Sequence, residues 1–158
     1  MHWSTEPNAG FTKSNKPTLP VISEGPYGYQ NINVAKQRRD PDSLLNWTER
    51  MIRMRKEMPE ISWGDFQIIR VAKSSILIIR YDWRDNSVLI AHNFKDAAQE
   101  VTFSVGIDDD RKATLINLLG EDHSEADEDG RHRISLEPYG YRWFRVGGLD
   151  YLLRRSDV

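Results

Sequence analysis

The hydrophobic positions divide the chain into three stretches of different periodicity. Residues 1–40 have no regular pattern, and turn-forming residues recur every few positions in "KPTLPVISEGPYGYQNINV". Residues 41–58 carry apolar side chains at every third or fourth position, and residues 64–146 contain short runs in which β-branched and aromatic residues dominate. The pattern predicts a long loop region, then one helix, then a β domain.

The second stretch has the features of an amphipathic helix. Asp40 is a good N-cap, Pro41 suits the first helical position, and the pair Met58-Pro59 ends the pattern. The apolar stripe consists of Leu44, Trp47, Met51, Met54 and Met58, widened by Leu45 and Ile52. A stripe of this kind requires another apolar surface to cover it, because each exposed side chain forgoes about 1.5–3 kcal/mol of burial energy.

The third stretch predicts strands without intervening helices. Seven runs fit: "FQIIRVA", "SILIIRYD", "SVLIAHNF", "QEVTFSV", "ATLINLL", "RHRISLE" and "GYRWFRV". Asp85-Asn86 predicts a tight hairpin between the second and third runs. The fold class is therefore mainly β, an antiparallel sandwich or a barrel-like sheet pair. The tail, residues 147–158, is a short amphipathic segment that could dock on the sheet.

Composition limits the function classes. The 158 residues carry a formal net charge of −2 and contain no cysteine. The charge gives no reason to expect nucleic acid or a membrane surface as a partner, and no apolar run approaches the length of a membrane span. The absence of cysteine excludes disulfides and fits a reducing compartment, so the chain is predicted to be cytoplasmic.

No catalytic or metal-binding motif stands out. The four histidines lack metal-ligand spacing, and His92 falls in a strand, where a structural imidazole is the simpler interpretation. "GEDHSEADEDG" holds six acids within residues 121–129 but lacks the spacing of a calcium loop, so a solvated acidic loop is predicted. No metal and no cofactor is expected.

Two further features bear on carbohydrate chemistry. Glu60 and Asp65 flank Trp63, but a catalytic pair of carboxylates is a weaker interpretation than ordinary turn acids at the junction of helix and sheet. Trp63, Trp83 and Trp143 could stack on sugars if exposed, with core packing as the default. Alternation along the last run implies that either Trp143 or Phe144 faces the core.

Three blocks of sequence together resemble one enzyme family. They are "MHWS…NAGFT", "GYQNINVAKQRRDPDSLLNWTERMIRMRKEMPE" and "LEPYGYRWFRV". In this order they look like the C-terminal third of trehalose synthase-like enzymes (maltose α-D-glucosyltransferases) of the α-amylase superfamily, glycoside hydrolase family 13. The resemblance covers nearly the whole chain.

The resemblance implies a particular architecture. In that family a (β/α)8 barrel carries the chemistry and an antiparallel Greek-key sandwich follows it. Residues 1–40 would correspond to the segment after the eighth barrel strand, 41–58 to the last barrel helix, and 64–146 to the sandwich. Because active sites of such barrels lie at the C-terminal ends of the strands, the resemblance implies that five residues lie on the active-site rim. These are Met1, His2, Trp3, Asn8 and Phe11.

The family's catalytic Asp, Glu and second Asp match no position of this sequence. The resemblance therefore implies a structural, non-catalytic piece of an enzyme that transfers or hydrolyses α-glucosyl groups on maltose- or trehalose-type substrates. The alternative is a stand-alone carbohydrate-binding or protein-interaction module. The implied partners are the barrel domain, an α-glucan or maltose or trehalose, and a second copy of the chain through the uncovered helix.

Overall fold

The computed structural model describes residues 1–106 and 110–147. The predicted C-terminal segment lies outside the described residues from position 148 onward. The chain divides into two compact units, Met1–Glu57 and a second unit that begins at Met58. Among the described residues, no helix has both the length and the apolar character needed to cross a lipid bilayer.

The first unit contains an irregular segment and two helices. A 3-10 turn spans Pro7–Gly10, helix α1 spans Val34–Gln37 and helix α2 spans Leu44–Glu57. The helix predicted to begin at Pro41 begins at Leu44 instead, so the prediction of Asp40 as N-cap is wrong. Ser43 takes that role: its carbonyl accepts from Trp47 N and its hydroxyl accepts from Asn46 N at 3.3 Å.

The second unit is an antiparallel sandwich preceded by a short helix, α3, Pro59–Trp63. Its strands are β1 Asp65–Ile69, β2 Ile76–Trp83, β3 Asn86–Asn93, β4 Gln99–Phe103, β5 Thr114–Asn117, β6 Ser124–Glu125, β7 His132–Leu136 and β8 Tyr141–Val146. One sheet has the order β1-β2-β3-β8-β5-β6, and the other pairs β4 with β7. The predicted mainly β, antiparallel sandwich is confirmed.

The core lies between the two sheets. Phe144 faces this core and is buried, whereas Trp143 lies on the opposite face of β8, as alternation requires. The buried core side chains are Ile76, Ile78, Leu89, Ala91, Val101, Phe103, Val105, Leu115, Ile134, Leu136, Phe144 and Val146. Both sheets contribute to this set, so neither sheet buries its apolar face without the other.

The outer face of the large sheet is partly covered by α3, which packs against β2 and β3. Glu60 of α3 is fully buried there, and its Oε1 lies 2.8 Å from Nη1 of Arg145 on β8. The expectation that Glu60 is an ordinary turn acid is therefore wrong. Gly64 ends α3, where its N–H bonds the carbonyl of Glu60 at 3.0 Å.

The β2–β3 hairpin and the acidic stretch differ from the sequence prediction. The hairpin between β2 and β3 pairs Trp83 with Asn86, so its two loop residues are Arg84 and Asp85 rather than Asp85 and Asn86. Arg84 adopts a left-handed conformation with φ of 53°. The acidic stretch predicted to be only a solvated loop contains β6, which pairs with β5.

Two polar clusters secure β6 and β8. His132 is buried, and its ring contacts the Ser124 hydroxyl at 3.0 Å and the Lys112 carbonyl at 2.7 Å. Arg142 lies between two carboxylates, with Asp122 at 2.7 Å and Glu137 at 2.7 Å. The first cluster joins β7 to β6 and to the segment before β5, and the second joins β8 to the loops that precede β6 and β8.

The ion pairs of Arg142 shift the titration of their partners. Its hydrogen bonds lower the pKa of the Glu137 carboxyl below the ordinary value. At Asp122, burial acts to raise the pKa, but bonds from Arg142 and Asn117 outweigh it and the net pKa is lowered. Both carboxylates are therefore held in the charged form by the fold.

Candidate functional site: the N-terminal segment

The five candidate rim residues lie in a folded turn, and its centre is a left-handed stretch. Asn8, Ala9 and Gly10 have φ values of 53°, 57° and 68°. This conformation costs an alanine roughly 1–2 kcal/mol, so the surrounding contacts must hold it. They do so through the carbonyl of Ala9, which accepts from Trp3 N at 2.9 Å and from Ser4 N at 3.1 Å.

Asn8 orders the chain that follows the turn. Its Nδ2 donates to the carbonyl of Thr12 at 3.1 Å and to that of Ser14 at 2.8 Å. Phe11 begins this loop and is exposed. The Asn8 side chain therefore holds this loop through its bonds to two backbone carbonyls, and the Phe11 ring lies at the surface.

The first residues are tied to α1. His2 O accepts from Val34 N at 2.9 Å, and Trp3 O accepts from Ala35 N at 3.0 Å. The His2 ring lies edge-on to Tyr29 with centroids 6.2 Å apart. These bonds satisfy two N–H groups at the start of a helix, where no intrahelical acceptor exists.

Asn33 is a structural residue that the sequence analysis missed. It is buried, its side chain accepts from Lys36 N at 2.9 Å, and its amide donates to the Tyr29 carbonyl at 2.8 Å. The signal was present in the sequence, because Asn before Val-Ala-Lys-Gln is a standard N-cap pattern. Its four-residue helix was too short for periodicity to reveal.

Two surface grooves lie in this unit, and the candidate residues divide between them. Met1 and His2 line an apolar groove of about 290 Å3 together with Ile32, Val34, Leu44 and Leu45. Phe11 lines a separate groove of about 360 Å3 with Thr12, Lys16 and Leu19. Trp3 and Asn8 line neither groove. The structure thus brings Met1 and His2 together and places Phe11 elsewhere.

Only part of the apolar stripe of α2 is uncovered: three of its side chains are half-buried, and Met58, which the sequence pattern placed in the stripe, lies beyond the helix and is buried. No residue of this helix is buried, and Leu44 and Ile52 are 71% and 53% exposed. Exposed apolar surface of this kind marks an interaction site in a folded protein. The first unit therefore contains an apolar groove and an apolar helix face.

The other residues considered from sequence are not assembled into a site. Glu60 is bonded to Arg145, and Asp65 lies on β1. Among residues 1–106 and 110–147, no group of three His, Cys, Asp or Glu side chains is arranged to hold a metal ion. His92 packs against Phe94 and Tyr141, and burial lowers the pKa of its ring.

The prediction that the three candidate tryptophans pack in the core is wrong, because none of them belongs to the core cluster. Trp63 is 74% exposed at the end of α3. Trp83 is partly exposed and has the Arg84 guanidinium 5.6 Å from its ring centroid. Trp143 is partly buried, on the outer face of β8.

Sequence comparison identifies two family matches, which follow each other along the chain. Residues 1–64 match the alpha amylase catalytic domain, and residues 86–145 match the sucrose hydrolase-like C-terminal domain. The chain belongs to the α-amylase superfamily, glycoside hydrolase family 13. The expected resemblance is confirmed.

Similar proteins include longer enzymes of carbohydrate metabolism. A trehalose synthase from Pimelobacter sp. (strain R48) is 28% identical over 95% of this chain and 27% of its own length. The trehalose synthase/amylase TreS of Mycolicibacterium smegmatis is 34% identical, over 92% of this chain and 26% of its own length. The chain spans about a quarter of the length of these relatives.

Solved structures agree in fold. A variant of the trehalulose synthase MutB matches with a TM-score of 0.68 and 25% identity, over 92% of this chain and 24% of its own. Bacillus licheniformis trehalose-6-phosphate hydrolase matches with a TM-score of 0.66 and 26% identity, over 93% of this chain and 25% of its own. The chain is thus homologous to a C-terminal portion of enzymes of this superfamily.

Proposed function

We propose that this chain is a structural, non-catalytic part of an enzyme that transfers or hydrolyses α-glucosyl groups on maltose- or trehalose-type substrates. In this proposal residues 1–40 follow the eighth strand of a (β/α)8 barrel, 41–58 form its last helix, and 64–146 form the sandwich beside it. Met1, His2, Trp3, Asn8 and Phe11 lie on the active-site rim. The observation that carries the proposal is the partly uncovered apolar stripe of α2 beside an apolar groove.

The chemistry of the superfamily supports the non-catalytic role. Cleavage of a glycosidic bond in these enzymes requires two carboxyl groups placed on opposite sides of the bond. Glu60, one of the two acids weighed for such a pair, is fully buried and bonded to Arg145. The carboxylates that act on substrate are therefore assigned to the barrel.

The partner assigned to the α2 face is the remainder of the barrel. Leu44 and Ile52 are exposed in this chain, and a helix at the outside of a barrel buries such a stripe against neighbouring strands. The alternative occupant of this face, where no barrel is supplied, is a second copy of the chain. The proposed location is the cytoplasm, which the absence of cysteine supports.

The test is reconstitution of activity. The Pimelobacter trehalose synthase is truncated to remove the quarter that matches this chain. The truncated enzyme is then assayed for conversion of maltose to trehalose, alone and with the chain added. We expect no turnover by either part alone and measurable turnover by the mixture. Turnover of maltose or trehalose by the chain alone would refute the non-catalytic role.

Two matched variants make the test specific to the α2 face. Ile52→Lys places a charge in the apolar stripe, whereas Glu57→Lys makes the same new side chain at an exposed polar position. We expect Ile52→Lys to abolish reconstitution and Glu57→Lys to retain it. Equal activity of the two mixtures would contradict the assignment of this face to the barrel.

A stand-alone carbohydrate-binding module is the second candidate. Trp63 and Phe66 are 74% and 65% exposed, and aromatic faces of this kind stack on sugar rings. Phe66 is tilted by 43° from its neighbour Tyr81, so the two rings do not form one flat platform. To test this function, maltose and trehalose are titrated into the chain and into Trp63→Ala, and the tryptophan fluorescence is followed.

A further inference from the structure

Strand β1 forms one edge of the large sheet. Within the described parts of the chain it pairs only with β2, in a continuous register from Asp65↔Asp82 to Ile69↔Ile78. The outer side of an edge strand presents backbone N–H and C=O groups that can pair with another strand. The edge of β1 is therefore available for strand addition.

The central residues of this edge lack the usual protection against strand addition, and the one charged residue, Asp65, is the first of the strand. Residues 65–69 contain no proline or lysine, and the pairing with β2 has no bulge. Phe66 and Ile68 lie on the same face and are 65% and 60% exposed. Exposed apolar side chains on an unprotected edge are the features that favour pairing with a second chain.

We infer that β1 pairs antiparallel with β1 of a second copy of this chain, about a two-fold axis at Gln67. In that register Phe66 lies opposite Ile68 of the second copy, and the same pair recurs on the other side of the axis. Gln67 lies opposite Gln67 of the second copy. All five residues of the strand then take part, and the two sheets join into one.

The strand is complementary to itself in this orientation. Aromatic and β-branched side chains form favourable cross-strand pairs, and the register makes two of them. No two charged residues lie directly opposite each other in this register, because Asp65 faces Ile69 of the second copy. A register centred on Phe66 would instead place that ring against itself and pair fewer residues.

Cysteine cross-linking tests the register directly, because the chain contains no cysteine. Gln67→Cys places two sulfur atoms across the two-fold axis, within the Cα separation of about 4.4–6.8 Å that a disulfide requires. Asp65→Cys is the matched control on the same strand, since two copies of position 65 would be about 14 Å apart. We expect a disulfide-linked dimer from Gln67→Cys under mild oxidation, and none from Asp65→Cys.

Sedimentation of variants without an added cysteine tests whether the exposed face of β1 mediates dimerisation. Ile68→Lys places a charge opposite Phe66 twice in the dimer, and Ile52→Lys changes the α2 stripe with the same chemistry. We expect Ile68→Lys to weaken dimerisation about tenfold and Ile52→Lys to leave the β1 dimer in place. Circular dichroism establishes that both variants are folded.

The outcomes are distinct. Equal cross-linking at positions 65 and 67, or a Gln67→Cys chain that stays monomeric, overturns the inference. A dimer that Ile52→Lys abolishes and Ile68→Lys leaves intact assigns self-association to α2 and overturns it as well. The result does not depend on reconstitution of enzyme activity, so this inference and the proposed function can fail separately.

Discussion

The pair of Glu60 and Arg145 offers the sharpest test of the sandwich. Glu60 is fully buried, its Oε1 bonds the Arg145 guanidinium at 2.8 Å, and among the described residues its Oε2 has no hydrogen-bond partner. Replacement of Arg145 by Met removes the positive charge and leaves a carboxylate in the protein interior. We expect Arg145→Met to lower the free energy of unfolding by about 3–5 kcal/mol.

That loss is large on the scale of the whole molecule. Domains of ordinary size have a free energy of unfolding of about 5–15 kcal/mol, so this one change would remove a large share of it. The double variant Glu60→Met with Arg145→Met leaves no buried charge behind. We expect it to be more stable than Arg145→Met alone, because apolar side chains of similar volume replace both partners.

The assay is urea unfolding at neutral pH, followed by circular dichroism, on the wild type, both single variants and the double variant. Arg133→Met serves as control, because its partner Glu100 and Arg133 itself are both exposed. We expect a smaller effect there, since water screens the pair. Additive effects of the two single changes, or a loss below about 1 kcal/mol for Arg145→Met, would show that Glu60 is not an uncompensated buried charge.

Three further outcomes follow from packing and titration. Leu115→Ala, at a fully buried position, should cost about 2–5 kcal/mol in urea unfolding. Gly64→Ala should also destabilise the chain, because a Cβ there would collide with the backbone carbonyls of Glu60 and Asp82; a lower thermal midpoint checks this. The pKa of the Glu137 carboxyl is lower in the folded chain than in the unfolded chain. The ionised carboxylate therefore stabilises the fold at pH values above the unfolded pKa, and this stabilisation is lost as the pH falls through the folded pKa. Unfolding free energies measured from pH 6 downward should therefore fall below about pH 4.5, and more weakly in Arg142→Met.

Much of the second unit could be predicted from the sequence alone. Each of the seven β runs contains a strand. An alternating pattern places one set of side chains on the buried face, whichever strands lie beside it in the sheet. Alternation also required that either Trp143 or Phe144 face the core, and the structure shows that it is Phe144. Helix α2 was found for a similar reason, although its first turn was misplaced because Ser43 and Asp40 are both good caps.

Long-range contacts account for the errors. Strand β6 was missed because two residues in an acidic stretch carry no periodic signal, and their pairing with β5 makes them a strand. The left-handed conformation of Ala9 was not predicted, because alanine disfavours it and only the bonds from Trp3 and Ser4 hold it. Neither feature leaves a trace in local sequence.

The sequence by itself determined the family and the order of loop, helix and sandwich. These features depend on residue type and on spacing between near neighbours. The tertiary structure decided that Glu60 is buried, since its partner Arg145 is 85 positions away in the chain. It also left the edge of β1 open, because whether a strand has one neighbour or two is settled only when the whole sheet has assembled.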